Sequence, residues 1–222
     1  MAGAASRRST LTLYSLCNCC HCHRVRLVLL EKGLDAEFVW VSPASPPPDF
    51  LDANPGGQLP TLVDRDVVLY NDRVIIEYLD ERYPHPPMLA TDPAGRARQR
   101  LALARIEQDL YAQLPRLSRS VREERELARE ALRSQLVAGA AVFAARPYFL
   151  GTDYSLIDAT LAPLLWRLAH YGIELPPEAA PVLEYAARMF ARPAFRQSLS
   201  AVEQEMRDDG PAARPPSSET VR

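Results

Sequence analysis

Two hydrophobic rhythms divide this chain. Up to about residue 83, short apolar and β-branched runs alternate with stretches of helical period, whereas beyond Asp92 only the helical period persists. Residues 10–15 read as a buried strand. A helical pattern follows with Val25, Val28 and Leu29 on one face, and Gly33 supplies its stop. Residues 36–41 read as a second strand. Residues 43–48 are too proline-dense for a helix interior or a central strand and are expected to form an exposed connection. Residues 61–63 and 67–69 flank the polar break Asp64-Arg65-Asp66, which suits a tight hairpin. Asp72 stands where an N-cap belongs, and Val74, Ile75, Tyr78 and Leu79 carry a helix up to Tyr83. The order is βαβ, then ββα.

In the second half Leu103, Ile106, Leu110 and Leu114 recur at spacings of three and four. Ser155 and Asp158 form a capping box, in which the hydroxyl covers free amides and the acid reaches back. Leu161, Leu164, Leu165 and Leu168 extend that helix, which Pro163 should kink. Two more helical patterns between residues 185 and 206 break at Pro193. The arginines at 96, 98, 100 and 105, with Glu107 and Asp109 nearby, read as a solvated helix face. The fold class is therefore α/β plus all-α: a first domain over residues 9–84, a linker over 85–92, an all-helical domain over 93–207 and a disordered tail over 208–222.

Composition narrows the function classes. With 222 residues and 47% hydrophobic content the chain can build substantial cores. A formal charge of -2 and a pI near 6.1 give no field to hold a nucleic acid backbone, so direct nucleic-acid binding is not expected. No apolar run is long enough for a membrane span and residues 1–10 lack a signal-peptide core, which predicts a cytoplasmic protein. Cys17, Cys19, Cys20 and Cys22 lie too close together for a secreted disulfide framework and are expected to be reduced thiols.

A βαβ-ββα unit with Pro60 before its third strand, joined to a helical half carrying the Ser155/Asp158 box, resembles the cytosolic glutathione transferase fold over residues 10 to about 207. That likeness implies an N-terminal thioredoxin-like domain followed by a helical bundle. Within the fold, residues 25–33, 60–65, 77–87 and 161–168 are similar to the stringent starvation protein A family. The resemblance implies a dimeric bacterial transcription regulator of the stress response that binds RNA polymerase holoenzyme and lacks ordinary transferase activity, without a cofactor. It places the contact with the sigma subunit on the stiff turn Pro84, His85, Pro86 and Pro87. Read without the resemblance, that turn is an ordinary interdomain linker, and His85 has no nucleophile or carboxylate to serve as a general base.

The resemblance also marks a glutathione-type pocket at Leu59, Pro60, Asn71 and Asp72. Pro60 corresponds to a proline with a cis peptide bond, which turns the backbone of Leu59 toward a ligand. Asn71-Asp72 stands where active transferases carry an acidic residue and a serine, and the charge of Asp72 is expected to oppose the incoming glutathione carboxylate and cancel the helix dipole. The cysteine cluster has three readings. Some of its thiols pack as small apolar residues and others are exposed; or Cys19 and Cys22 form a redox pair of a glutathione-dependent thiol transferase, with Cys19 activated by a helix N-terminus; or three or four Cys and His side chains bind zinc. The last lacks a second ligand pair beyond His85 and His170.

Overall fold

The computed structural model describes residues 11–119 and 121–208; residues 1–10 and the expected disordered tail beyond Asp208 lie outside them. The first half comprises β1 (Leu11–Ser15), α1 (Cys20–Glu31), β2 (Ala36–Trp40), α2 (Pro48–Ala53), β3 (Thr61–Asp64), β4 (Val67–Tyr70) and α3 (Asp72–Arg82). Its strands form a sheet in the order β2-β1-β3-β4. The crossover through α1 makes β1 and β2 parallel, whereas the tight turn at Arg65, with φ 57°, makes β3 and β4 antiparallel.

Alternation along the strands sends side chains to two cores. Leu11, Leu13 and Leu62 join the main core with α1, α3 and the helical half. Tyr14, Val41 and Phe50 form a smaller one on the opposite face, with Val39, Leu59 and Val63 against it. Phe50 sits on α2, for which the sequence offered no periodic run. Pro48 occupies its first turn, where a missing N–H costs nothing, so the proline-dense connection runs directly into a helix.

The helical half comprises α4 (Pro93–Asp109), a 3-10 turn (Tyr111–Gln113), α5 (Leu114–Leu117), α6 (Arg122–Ala138), α7 (Ala140–Ala144), α8 (Leu156–Trp166), a second 3-10 turn (Pro177–Ala179), α9 (Ala180–Phe190), α10 (Pro193–Ser198) and α11 (Ala201–Asp208). The capping box at Ser155 and Asp158 forms as expected. Asp158 also accepts from the Phe149 amide at 2.8 Å and the Tyr185 hydroxyl at 2.7 Å, which ties α8 to two other segments. Pro163 lies inside α8 and the helix continues through it. The last helical region contains two breaks rather than one, because Leu199 takes an extended conformation after α10.

Three side-chain expectations change. The arginines of α4 are not simply a solvated face: Arg100 reaches Glu77 at 2.8 Å and Glu81 at 3.3 Å on α3. Helix α1 is not one-sided, since Arg24, Arg26 and His23 are buried along with Val25, Leu27, Val28 and Leu29. The N-cap of α3 is Asn71, whose Oδ1 accepts from the amides of Arg73 and Val74 at 3.1 and 3.2 Å. Asn71 holds φ 82°, a conformation that asparagine tolerates better than most residues.

Candidate functional site

The two halves of the molecule meet along α1, and each of its ends carries a cluster singled out by the sequence. At the N-terminal end Cys19 is the cap residue, and its sulfur accepts from the Cys22 amide at 3.4 Å. The four thiols occupy different surroundings: Cys17 is exposed, Cys19 half-buried, Cys20 and Cys22 buried. A hydrogen bond from the Cys22 thiol, helped by backbone amides and the charge of His21, pulls Cys19 down to about 6. Cys22 is pushed upward by that same contact and by burial. Burial pushes Cys20 up to about 11, and its thiol donates to the Tyr111 hydroxyl at 3.3 Å.

Asp72 belongs to this cluster. Freed from capping, its carboxylate turns to α1, where Arg24 forms an ion pair with it and His21 Nδ1 donates at 2.8 Å. Burial works against the imidazolium of His21, but the bond to Asp72 and its charge outweigh that and raise the group above its ordinary value. Burial likewise penalises the carboxylate, yet His21 and Arg24 hold Asp72 below the usual range. The expected cancellation of the helix dipole by a free Asp72 charge is therefore replaced by an ion-paired carboxylate. Arg24 continues to Glu107 on α4 at 3.0 Å.

The Leu59–Pro60 bond is cis, and Pro60 is buried beside half-buried Leu59. Asn54 holds the turn, donating to the Gln58 carbonyl at 3.1 Å and the Thr61 hydroxyl at 2.9 Å. At the start of α3, where a transferase of this fold receives the γ-glutamyl carboxylate, stands the carboxylate of Asp72, already engaged by Arg24 and His21. Among the described residues no group of three or more His, Cys, Asp or Glu side chains is placed to hold a metal ion.

The C-terminal end of α1 is built differently. Its twelve residues span about 18 Å at 1.5 Å each, so this cluster is separate from the thiols. Lys32 buries its ammonium against Asp80 at 2.8 Å and donates to the carbonyl oxygens of Tyr83 and Pro86 at 2.7 and 2.8 Å. Asp80 accepts in turn from the amides of Met88 and Leu89 at 2.8 and 3.0 Å. Pro84, His85, Pro86 and Pro87 are all exposed above this clamp, and the His85–Pro86 bond is cis. Met88 and Leu89 are buried, so the predicted linker is anchored at its far side.

Between the two ends lies a buried network that sequence reasoning missed. Glu203 of α11 pairs with Arg26 at 2.6 Å and with Arg167, and both guanidiniums are fully buried. Arg26 also donates to Ser15 Oγ at 2.6 Å and the Ser198 carbonyl at 2.9 Å. An arginine can only donate, so His23 Nδ1 accepts from Arg167 at 3.0 Å and its Nε2–H donates to Ser198 Oγ at 2.8 Å. Burial and the two guanidinium charges depress His23 well below its ordinary value, which keeps it neutral. The available signal was three basic residues, at 23, 24 and 26, in a helix whose apolar positions leave no room for a solvent face.

Residues 13–87 match the glutathione S-transferase N-terminal domain family and residues 122–188 the glutathione S-transferase C-terminal domain family. The chain is 44% identical over 200 residues to a stringent starvation protein A homolog from Pasteurella multocida, covering 90% of this chain and 94% of the relative. It is 43% identical over 203 residues to the Coxiella burnetii protein of the same name, covering 91% and 97%. Among solved structures it is similar to glutathione transferase Omega 3C from Trametes versicolor, with a TM-score of 0.76 and 27% identity over 86% of this chain and 89% of that one.

Proposed function

The chain belongs to the stringent starvation protein A family, and from that premise we propose that it is a transcription regulator that associates with RNA polymerase holoenzyme through the turn at residues 84–87. The glutathione-transferase-like fold serves as a protein-binding scaffold without transferase activity. One observation carries this reading: Pro84, His85, Pro86 and Pro87 are exposed while the backbone beneath them is clamped by the buried pair Lys32 and Asp80. A turn already fixed loses little conformational entropy on docking, which favours recognition by a stiff surface. The mismatch at Asp72 supports the absence of a glutathione-dependent reaction.

The partner is the sigma subunit, and the regulator acts as a homodimer. Support for the dimer comes from Tyr70, Val74 and Leu101, large apolar side chains 53%, 50% and 71% exposed on β4, α3 and α4. Arg73 Nη2 donates to the Arg100 carbonyl at 3.3 Å, which brings these elements side by side. No described helix is long and apolar enough to cross a membrane.

The test is co-sedimentation of the full chain with polymerase core and with sigma-containing holoenzyme, using the wild type and a variant with Pro84, His85 and Pro86 replaced by alanine. Association with holoenzyme, lost in the variant while its circular dichroism and oligomeric state are unchanged, is the expected result. Equal binding by both proteins rejects the docking site, and no binding by either rejects the regulator reading.

A further inference from the structure

The docking turn makes no use of the thiols at the other end of α1, and their geometry differs from that of buried structural cysteines. The two residues meet at the helix start: the Cys22 amide points at the Cys19 sulfur at 3.4 Å, and the Cys22 side chain helps draw Cys19 below its ordinary value. One member is half-exposed at the helix cap, the other wholly enclosed. Cys20, between them in sequence, is turned away to Tyr111. An accessible sulfur backed by a sheltered one is the arrangement that thiol–disulfide exchange requires: one to meet the substrate and one to close the ring.

We propose that Cys19 and Cys22 are a reversible redox pair that reduces small disulfides, with Cys19 as the attacking thiolate and Cys22 as the resolving thiol. Cys19 attacks one sulfur of the substrate, breaking its S–S bond, forming a mixed disulfide and releasing the first thiol as its thiolate. Cys22 then loses its proton and attacks the Cys19 sulfur; the mixed disulfide breaks, the Cys19–Cys22 bond forms and the second thiolate leaves, each thiolate taking a proton from solvent. The substrate has gained two electrons and the pair has lost two, so a dithiol must return them before another cycle. Because Asp72 stands where a glutathione carboxylate would bind, the substrate is a disulfide that does not depend on that anchor.

Acidity sets the size of the effect. At pH 7 a thiol at about 6 is mostly ionised, whereas one at the ordinary 9.0 is about 1% ionised. The weaker nucleophilicity of the more acidic thiolate takes back most of that gain, leaving an advantage of about fourfold at pH 7 and about twentyfold at pH 6. His21, the charged neighbour of Cys19, is itself paired with Asp72, which Arg24 holds in turn together with Glu107.

The experiment uses the full chain with Cys17→Ser, which removes the exposed competing thiol, and hydroxyethyl disulfide as the probe. Intact-mass and peptide analysis should show loss of two hydrogens, a Cys19–Cys22 link and full reversal by dithiothreitol. Adding Cys22→Ser, or Cys22→Ala as a second form, should trap one hydroxyethylthio group on Cys19. Adding Cys19→Ser should reduce the reaction rate at pH 6 by at least about tenfold. An unchanged rate without Cys19, adduct on Cys20, or a mixed disulfide that persists on the intact pair would overturn the proposal. Circular dichroism of each variant separates a chemical loss from a folding defect.

Discussion

The two ends of α1 put charge to opposite uses. At the N-terminal end Cys19 and His21 are half-buried beside the enclosed Asp72, and the charge of His21 acts on both of the others. At the C-terminal end, Lys32 is enclosed, with Asp80 and two carbonyl oxygens as partners, and its charge fixes the path of the chain. The difference is one of access. A half-exposed titratable group can change state as a ligand or proton arrives, while a buried and fully paired one resists change and confers shape. One helix thus supports both a chemically responsive cluster and a rigid display surface.

The largest expected effect tests the shape-giving end. Asp80→Ala leaves the Lys32 ammonium without its counter-ion and the amides of Met88 and Leu89 without an acceptor. Urea unfolding should show a loss of about 3–5 kcal/mol, and binding of holoenzyme should be lost with it. A smaller effect is expected at the responsive end, because asparagine at position 72 keeps an oxygen that can still accept from Arg24. Asp72→Asn should cost about 1.5–3 kcal/mol through the weakened bond to Arg24. It should also lower the titration midpoint of His21 measured by NMR, since the raising influence of the carboxylate is removed. An unchanged midpoint would show that Asp72 does not control the cluster.

Asn71→Ala removes the true cap of α3 and places alanine at φ 82°, for about 1–2 kcal/mol by thermal or urea unfolding. If this substitution proves silent while Asp72→Asn is costly in capping alone, the assignment of the cap to Asn71 fails. The smallest stability effect belongs to alanine replacement of Pro84, His85 and Pro86, about 1 kcal/mol or less because all three are exposed. That variant should nevertheless abolish association. A loss of stability comparable to that of Asp80→Ala would mean that the turn supports the fold rather than displaying a surface.

Much of the architecture was legible in the sequence because it depends on local rules. Alternating apolar runs located the strands, the Asp64-Arg65-Asp66 break located the hairpin, and Ser155 with Asp158 located the start of α8. Helix α2 escaped notice because Phe50 is its single buried residue, too few for a period to show. The cap of α3 was misplaced by one position because either Asn71 or Asp72 can cap a helix; the choice fell to Arg24, distant in sequence, which draws the Asp72 carboxylate toward α1.

By itself, then, the sequence determined the order of elements, the division into a sheet-bearing half and a helical half, the motifs that relate the chain to its family, and the position of the stiff turn. These follow from backbone propensity, side-chain period and proline geometry, all properties of neighbouring residues. Only the tertiary structure decided which charges are buried and what they hold: Lys32 with Asp80 beneath the turn, Arg26 and Arg167 with Glu203 between the halves, Asp72 with Arg24 and His21 beside Cys19. The physical reason is that burial of a charge requires a partner brought from a remote segment. Partnership at a distance leaves no local pattern to read.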